Sequence, residues 1–299
     1  MTVSPMDRPV VLVTGAGKGL GRAFALACAD AGMAVVVNNR VREGQPDSAA
    51  DVVREIRDRG GEAHVDHADI AAEGAADAMV ANAVSAFGRL DALILNAGVR
   101  GEPARFEKTS AEAFREVMAV NFTAQADLVR AALPRLAESP AGRILFVSSS
   151  AGLYGIGGFT PYSASKGALM AFAGALAQEH RRGPIRVNVL APYAKTRMTD
   201  TAFQGALGDL FSPEAAAPLA AWLAGAETQS NGEIWVTGGN WIRRACMMEG
   251  VGGIVPSRIT SQATVTAAGG MAAATGFPGA EAAFADFAKT AMSEQGEDA

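Results

Sequence analysis

The stretch Val10-Val11-Leu12-Val13-Thr14-Gly15-Ala16-Gly17-Lys18-Gly19-Leu20-Gly21 decides how the chain is read. Its first four residues are apolar and three are β-branched, which suits a strand buried on both faces. The glycines then let the backbone turn sharply and come close to a pyrophosphate. The helix expected from Gly19 to Ala31 turns its unpaired N–H groups and the positive end of its dipole toward that charge. A glycine-rich loop alone is weak evidence; one set between a first strand and a helix is much stronger. The spacing excludes two common loops. Leu20 occupies the last glycine position of G-x-G-x-x-G counted from Gly15, and Lys18 is not followed by the Ser or Thr of a Walker loop. Gly15, Gly19 and Gly21 instead spell T-G-x-x-x-G-x-G.

Outward from this loop, short β-branched runs alternate with helical patterns. Strands are expected at 34–38, 62–66, 90–95, 143–148, 185–190 and 234–237. Helices are expected at 48–59, 73–87, 110–136 and 160–179, and from Ser212-Pro213-Glu214, a capping Ser followed by Pro at the first turn. Ser110 is the expected cap of the long helix. Such alternation implies an α/β fold, a doubly wound, Rossmann-type parallel sheet of seven strands with helices on both faces. Residues 1–240 form one nucleotide-binding domain. The composition shifts after Trp241, is rich in Gly, Ala, Ser and Thr from Val251 to Gly279, and returns to a helical pattern from Ala280 to Met292. Residues 241–299 are read as an extension packed on the same domain or on a partner subunit.

Composition narrows the function. Of 299 residues, 49% are hydrophobic and 19% charged, which fits a globular chain and not a disordered one. The net charge of −5 speaks against a nucleic-acid partner. No run of eighteen apolar residues spans a membrane, and Met1 to Pro9 lacks an apolar export core, so a cytoplasmic protein is expected. The two cysteines, Cys28 and Cys246, and three histidines, His64, His67 and His180, suit neither a disulfide scaffold nor a metal centre.

The loop pattern resembles that of the short-chain dehydrogenase/reductase family, and further motifs follow in that family's order. They are Asp69-Ile70 after the third strand, Leu95-Asn96-Ala97-Gly98 after the fourth (with Leu95 in place of the family's first Asn), Asn121, Ser149, and Tyr162-Ser163-Ala164-Ser165-Lys166 as Y-x-x-x-K. They cover Val10 to about Gly239. The resemblance implies a nicotinamide cofactor held by Gly15, Lys18, Gly19, Leu20, Gly21, Asn39, Arg40, Asp69, Ile70, Asn96, Ala97, Gly98, Tyr162, Lys166, Pro192 and Thr196. In it Asp69 meets adenine, Thr196 meets the nicotinamide carboxamide, and Asn121 holds a water that links Lys166 to solvent. It also implies a homodimer or homotetramer.

The chemistry of the four catalytic candidates, Asn121, Ser149, Tyr162 and Lys166, agrees with that resemblance. Tyr162 and Lys166 are four apart on a helix and share a face. A free tyrosine, with a pKa of about 10, is a poor base at neutral pH, and a nearby ammonium is expected to lower that value. Ser149, at the carboxyl end of a strand, is placed to hydrogen-bond a substrate oxygen as charge develops on it; strand alternation turns Ser148 and Ser150 away. The expected reaction is hydride transfer between nicotinamide and a ketone or secondary alcohol, with Tyr162 as acid and base. Leu153, Tyr154, Phe159, Tyr193 and Met198 are candidate pocket walls.

Cofactor choice turns on the end of the second strand. An NAD site commonly carries an acid there, whereas this chain has Asn39, then Arg40, with Lys18 in the loop. NADP is therefore expected, with NAD as the alternative. The segment from Ala191 to Thr199, the sequence Gly239-Asn240-Trp241-Ile242 and the long tail are similar to the (3R)-hydroxyacyl-CoA dehydrogenase part of peroxisomal multifunctional enzymes. An NAD-dependent (3R)-hydroxyacyl-CoA dehydrogenase is thus the second reading, with Arg100, Arg105, Arg243 and Arg244 as candidates for CoA phosphates. A third is a nucleotide-sensing regulator without turnover, against which the intact catalytic set argues.

Overall fold

The computed structural model describes residues 8–41, 43–196, 205–250, 252–253 and 273–296. The chain divides into two compact units, Met1–Arg244 and Ala245–Ala299.

In the first unit, β1 (Val10–Val13), β2 (Ala34–Asn38), β3 (Ala63–Asp66), β4 (Ala92–Leu95), β5 (Arg143–Val147), β6 (Arg186–Pro192), β7 (Ile234–Gly238) and β8 (Trp241–Ala245) form one sheet in the order β3-β2-β1-β4-β5-β6-β7-β8. The pairs from β3 to β7 are parallel, with Val11 opposite Val35 on one side and Ala92 on the other. The strand order reverses at β1, between β2 and β4. The crevice outside the carboxyl ends at such a point is where open α/β sheets bind ligands.

Helices cover both faces, which is why the strands read as unbroken apolar runs and not as alternating ones. Val11, Val13 and Val35 pack with Phe24 of α1 (Gly19–Asp30), Ile56 of α2 (Ser48–Asp58) and, on the same face, Leu223 of the later helix 213–224. Leu12, Val36 and Phe146 pack on the other face with Met79 of α3 (Ala75–Phe87), Leu128 and Leu169. Ser110 caps α4 (Ala111–Met118), its Oγ accepting from the Ala113 N–H at 3.1 Å.

Two expectations change. The single helix over 110–136 is interrupted: α4 gives way to a π turn (Ala119–Thr123) before α5 (Ala124–Glu138). The sheet has eight strands, not seven. Gly239 and Asn240, with φ of +56° and +61°, form a two-residue loop of the type that joins hairpins, so the chain doubles back and β8 runs antiparallel to β7. The remaining helices are α6 (Ser150–Tyr154), α7 (Thr160–Glu179), α8 (Ala206–Leu210) and α9 (Pro213–Ala224).

The second unit contains an antiparallel pair, β9 (Met248–Glu249) with β10 (Thr275–Gly276), and α10 (Ala280–Gly296), on which Phe284 and Phe287 are exposed.

Candidate active site

The loop after β1 is held from β4. The Thr14 Oγ1 accepts the N–H groups of Asn96 and Ala97 at 2.9 and 3.0 Å, while Asn96 Nδ2 donates to the carbonyls of Thr14 and Gly15 at 3.0 and 3.3 Å. Gly15 has φ of +64°, and a Cβ there would meet Ala97 Cα at 3.0 Å. A Cβ at Gly21 would strike the Gly15 carbonyl oxygen, so α1 rests directly on the loop. Gly17 lies outside the quoted motif, yet a Cβ there would collide with Ser48 Oγ and the Asn39 side chain. Lys18 is exposed at the N-cap of α1 and makes no side-chain cap bond. Leu20 packs against the core, so only its backbone is placed to serve the loop. The result is a bare backbone cradle ahead of a helix N-terminus, which fits a pyrophosphate.

Beside the cradle, the ends of β2 and β3 join in a buried polar cluster that sequence reasoning missed. Asn38 Oδ1 accepts the Gly15 N–H at 3.4 Å, and Asn38 Nδ2 donates to Asp66 Oδ1 at 2.7 Å and the Ala68 carbonyl at 3.0 Å. Asn82 of α3 donates to the second Asp66 oxygen at 2.8 Å. The available signal was a polar residue ending an otherwise apolar buried strand. Farther out, Asn39 Nδ2 donates to Ser48 Oγ at 2.9 Å, and Arg40 pairs with Asp69 at 2.6 Å. Two residues assigned to separate parts of the cofactor thus meet each other. Ile70 follows, half-buried. A Cβ at Gly19 would contact Thr196 at 3.7 Å, so the segment after Pro192, the last residue of β6, reaches the phosphate loop.

The catalytic candidates converge where β4, β5, the π turn and α7 meet. Ser149 caps α6, its Oγ accepting the Ala151 N–H at 3.2 Å, and its hydroxyl is close enough to the Tyr162 side chain to favour the phenolate. Ser148 turns the other way, donating to the Lys166 carbonyl at 2.8 Å. Lys166 is buried, with Nζ donating to the Val147 carbonyl at 2.7 Å and lying 5.9 Å from the Tyr162 ring centroid. Gly98 leaves room for it: a Cβ there would stand 3.6 Å from Nζ and 3.1 Å from Asn121 Oδ1. The π turn places Asn121 inside. Its Oδ1 accepts the Val99 N–H at 2.8 Å, and its Nδ2 donates to the Val99 carbonyl at 2.8 Å and to Ser165 Oγ at 3.0 Å. The Asn121 side chain is therefore engaged by protein, and its local role is to tie the turn after β4 to α7.

Electrostatics here differ from expectation. Burial raises the Tyr162 pKa above the ordinary tyrosine value, with the Ser149 hydrogen bond and the charge of Arg100 pulling against it. The expected lowering by Lys166 is not what governs this group. Burial also pushes Lys166 down, to about 8. Desolvation disfavours whichever form is charged, the phenolate in one case and the ammonium in the other.

Of the expected pocket walls, Leu153 and Phe159 are half-buried, whereas Tyr193 is 39% exposed and Tyr154 79% exposed. Met198 lies outside the described residues. Of the arginines considered for CoA phosphates, Arg105 pairs with Glu107 and Arg244 with Glu233, while Arg100 places its guanidinium carbon 3.7 Å from the Phe159 ring centroid. Among the described residues no group of three or more His, Cys, Asp and Glu side chains is arranged to hold a metal, and no helix is long and apolar enough to cross a membrane.

Known proteins resemble this chain in sequence and fold. The peroxisomal multifunctional enzyme type 2 of Mus musculus is 37% identical over 257 residues, which is 84% of this chain and 34% of that protein; the chain thus spans about a third of that relative's length. A solved short chain dehydrogenase from Mycobacterium avium superposes with a TM-score of 0.75 at 36% identity, over 86% of this chain and 91% of that one. A short chain dehydrogenase from Shigella flexneri, solved complexed with NADP, gives 0.70 at 30% identity, over 77% and 96%. The family model for short chain dehydrogenase matches residues 9–206. That span opens just before β1, closes at the start of α8 and contains the glycine loop, the Asn96 turn and the Tyr162–Lys166 pair; the chain belongs to the short-chain dehydrogenase/reductase family.

Proposed function

We propose that this protein is an NADP-dependent oxidoreductase that interconverts a ketone and a secondary alcohol, a small-molecule substrate being its partner in reaction. The observation that carries the reading is that Ser149 and Tyr162 come together beside the buried Lys166, whose Nζ lies 5.9 Å from the Tyr162 ring centroid, at the sheet edge that also carries the phosphate cradle. A nicotinamide cofactor supplies or accepts the hydride. Tyr162 gives its hydroxyl proton to the substrate oxygen in reduction and takes it back in oxidation. Burial favours the protonated phenol, the form that donates in reduction. Ser149 hydrogen-bonds the same oxygen, and Lys166 holds positive charge next to the phenol. The loop Gly15–Gly21 would take the pyrophosphate, Asp69 and Ile70 the adenine, and Asn96, Ala97, Gly98, Pro192 and Thr196 the nicotinamide side. Lys18 and Arg40 would meet the 2′-phosphate of NADP.

One observation favours a second reading. Arg40 is paired with Asp69, which offsets part of the charge that a 2′-phosphate would use. An NAD-dependent (3R)-hydroxyacyl-CoA dehydrogenase is the form this reading takes, in line with the similarity to the mouse peroxisomal enzyme. Turnover of simple ketones, steroid ketones and 3-oxoacyl-CoAs with NADPH and NADH separates the two. Ketone reduction with NADPH preferred about a hundredfold is the expected result, from two charge-assisted contacts of about 1.5 kcal/mol each. Preference for NADH with acyl-CoA substrates selects the second. NADPH binding without turnover of any substrate selects a nucleotide-sensing regulator. The proposal includes a cytoplasmic homodimer or homotetramer; a single species of monomer mass in light scattering at micromolar concentration removes the assembly.

A further inference from the structure

We infer that Gln125 is a positioning residue for the nicotinamide end of the cofactor, its side chain holding the Ala97–Gly98 peptide in one orientation. The inference rests on the reading of this chain as a nicotinamide-dependent oxidoreductase.

Gln125 lies on α5, just past the π turn, and is fully buried. The other buried residues of α5, Ala124, Leu128, Val129, Ala132 and Leu136, are all apolar. A glutamine in that row needs partners for both ends of its amide, since water does not reach them. One end has a partner: Nε2 donates to the Ala97 carbonyl at 2.8 Å. The other end has none: Oε1 is buried without a hydrogen bond among the described residues. Turning the amide over does not help, because a carbonyl only accepts and the nitrogen has to face it. Leucine or methionine would fill the same place and leave no orphan acceptor, so core packing does not account for the glutamine. What the glutamine supplies is the bond to Ala97.

That bond falls where the loop after β4 is softest. Thr14 Oγ1 accepts the N–H groups of Asn96 and Ala97, and the Asn121 side chain takes both the N–H and the carbonyl of Val99. The peptide between them ends in Gly98, where a Cβ would stand only 3.1 Å from Asn121 Oδ1. The close approach requires glycine, and glycine leaves the backbone freest to rotate. A peptide is planar and trans, so a carbonyl of Ala97 fixed toward α5 points the Gly98 N–H the opposite way. Thr14, Gln125 and Asn121 together thus hold the loop from Asn96 to Val99. The Gln125 bond reaches neither the phosphate loop nor the ends of β2 and β3, so its effect belongs to the nicotinamide side.

Titration calorimetry tests this with two ligands: NADPH, and 2′,5′-ADP, which carries the adenine end and lacks the nicotinamide. Gln125→Leu is expected to weaken NADPH about tenfold, the loss of one hydrogen bond, and to leave 2′,5′-ADP unchanged. Where NADH is the tighter cofactor, NADH and ADP make the same comparison. Unmoved affinity for the dinucleotide overturns the inference. So does equal weakening of both ligands, because the residue then supports the whole sheet edge. Gln125→Met, unbranched and without a donor, serves if the Leu variant does not fold. Gln125→Glu keeps the shape, and at about pH 6 its buried carboxyl is protonated and donates to the carbonyl. Its affinity for NADPH at that pH is expected to lie close to that of the wild type. A Glu variant as weak there as the Leu variant also overturns the inference, since the hydrogen bond is then not the cause. Binding to the wild type tests the underlying reading separately: a protein that takes neither NADPH nor NADH defeats the cofactor assignment, and the inference with it.

Discussion

The two ends of β5 each meet a buried cation, and the two cations are held in opposite ways. Arg143, the first residue of the strand, and Lys166, which reaches the last, are both 4% exposed. Arg143 donates to five carbonyl oxygens, those of Gly142, Pro184, Gly225, Ala226 and Thr228, at 2.6–3.2 Å. Lys166 donates to one, that of Val147. A guanidinium has five N–H groups in a fixed fork and does not give up its proton; an ammonium has three and does when burial asks it to. At the amino end the carbonyl dipoles replace the lost water, and the charge works as a clamp between β5, β6 and the chain leading into β7. At the carboxyl end the ammonium retains donor capacity and a pKa of about 8. Similar burial therefore leaves a fully paired ion in one place and, in the other, an ammonium whose pKa falls to about 8.

The largest expected effect tests whether the carboxyl end is chemical at all. Tyr162→Phe keeps the ring and removes the proton, and turnover on a confirmed ketone should fall by about two to four powers of ten with cofactor affinity unchanged. A near-wild-type rate would erase the distinction between the two ends.

Arg143→Met tests the other end. It leaves five carbonyls short of a donor and should lower stability in urea unfolding by about 4 kcal/mol, while the folded fraction keeps its kcat/KM. A loss of activity without a loss of stability would show the clamp to be something else.

Lys166→Met should act with the opposite sign. The folded pKa of about 8 lies below the ordinary lysine value of 10.5, so between these values the unfolded chain binds the extra proton. The burial cost is thus full below pH 8 and fades as pH rises toward 10.5. At pH 7 the variant should be more stable by about 3 kcal/mol, an upper figure, and inactive. The gain should shrink steadily above pH 8; a constant gain across that range would mean that packing and not charge is the cause.

The smallest effect extends the contrast to a solvent-facing cation. Arg40 is close to half exposed and paired with Asp69. Arg40→Asp should reduce the preference for NADPH over NADH about tenfold, since one contact is lost and repulsion is added. Unchanged cofactor selectivity would remove Arg40 from the 2′-phosphate site.

Much of this was legible along the chain. The apolar runs of β1, β2, β4 and β5 identify strands covered on both faces, because no polar residue interrupts them. Tyr162 and Lys166 reveal their shared face by helical spacing alone. β8 escaped notice because Trp241-Ile242-Arg243-Arg244 is short and polar in half its positions, and only the Gly239-Asn240 turn brings it to the sheet. The π turn was equally hidden: Ala119 to Thr123 continues the helical pattern, and what opens the turn is the reach of Asn121 to Val99 and Ser165.

The sequence by itself determined the layered α/β fold, the place of the glycine loop and the candidate catalytic side chains, because periodicity, glycine spacing and an i, i+4 pair are all local properties. Tertiary structure alone decided that Arg40 meets Asp69, that Asn38 locks Gly15 to Asp66, that Arg100 stacks on Phe159, and that burial governs both the phenol and the ammonium. Those outcomes depend on distances between residues far apart in the chain and on how completely water is removed around them, and packing sets both.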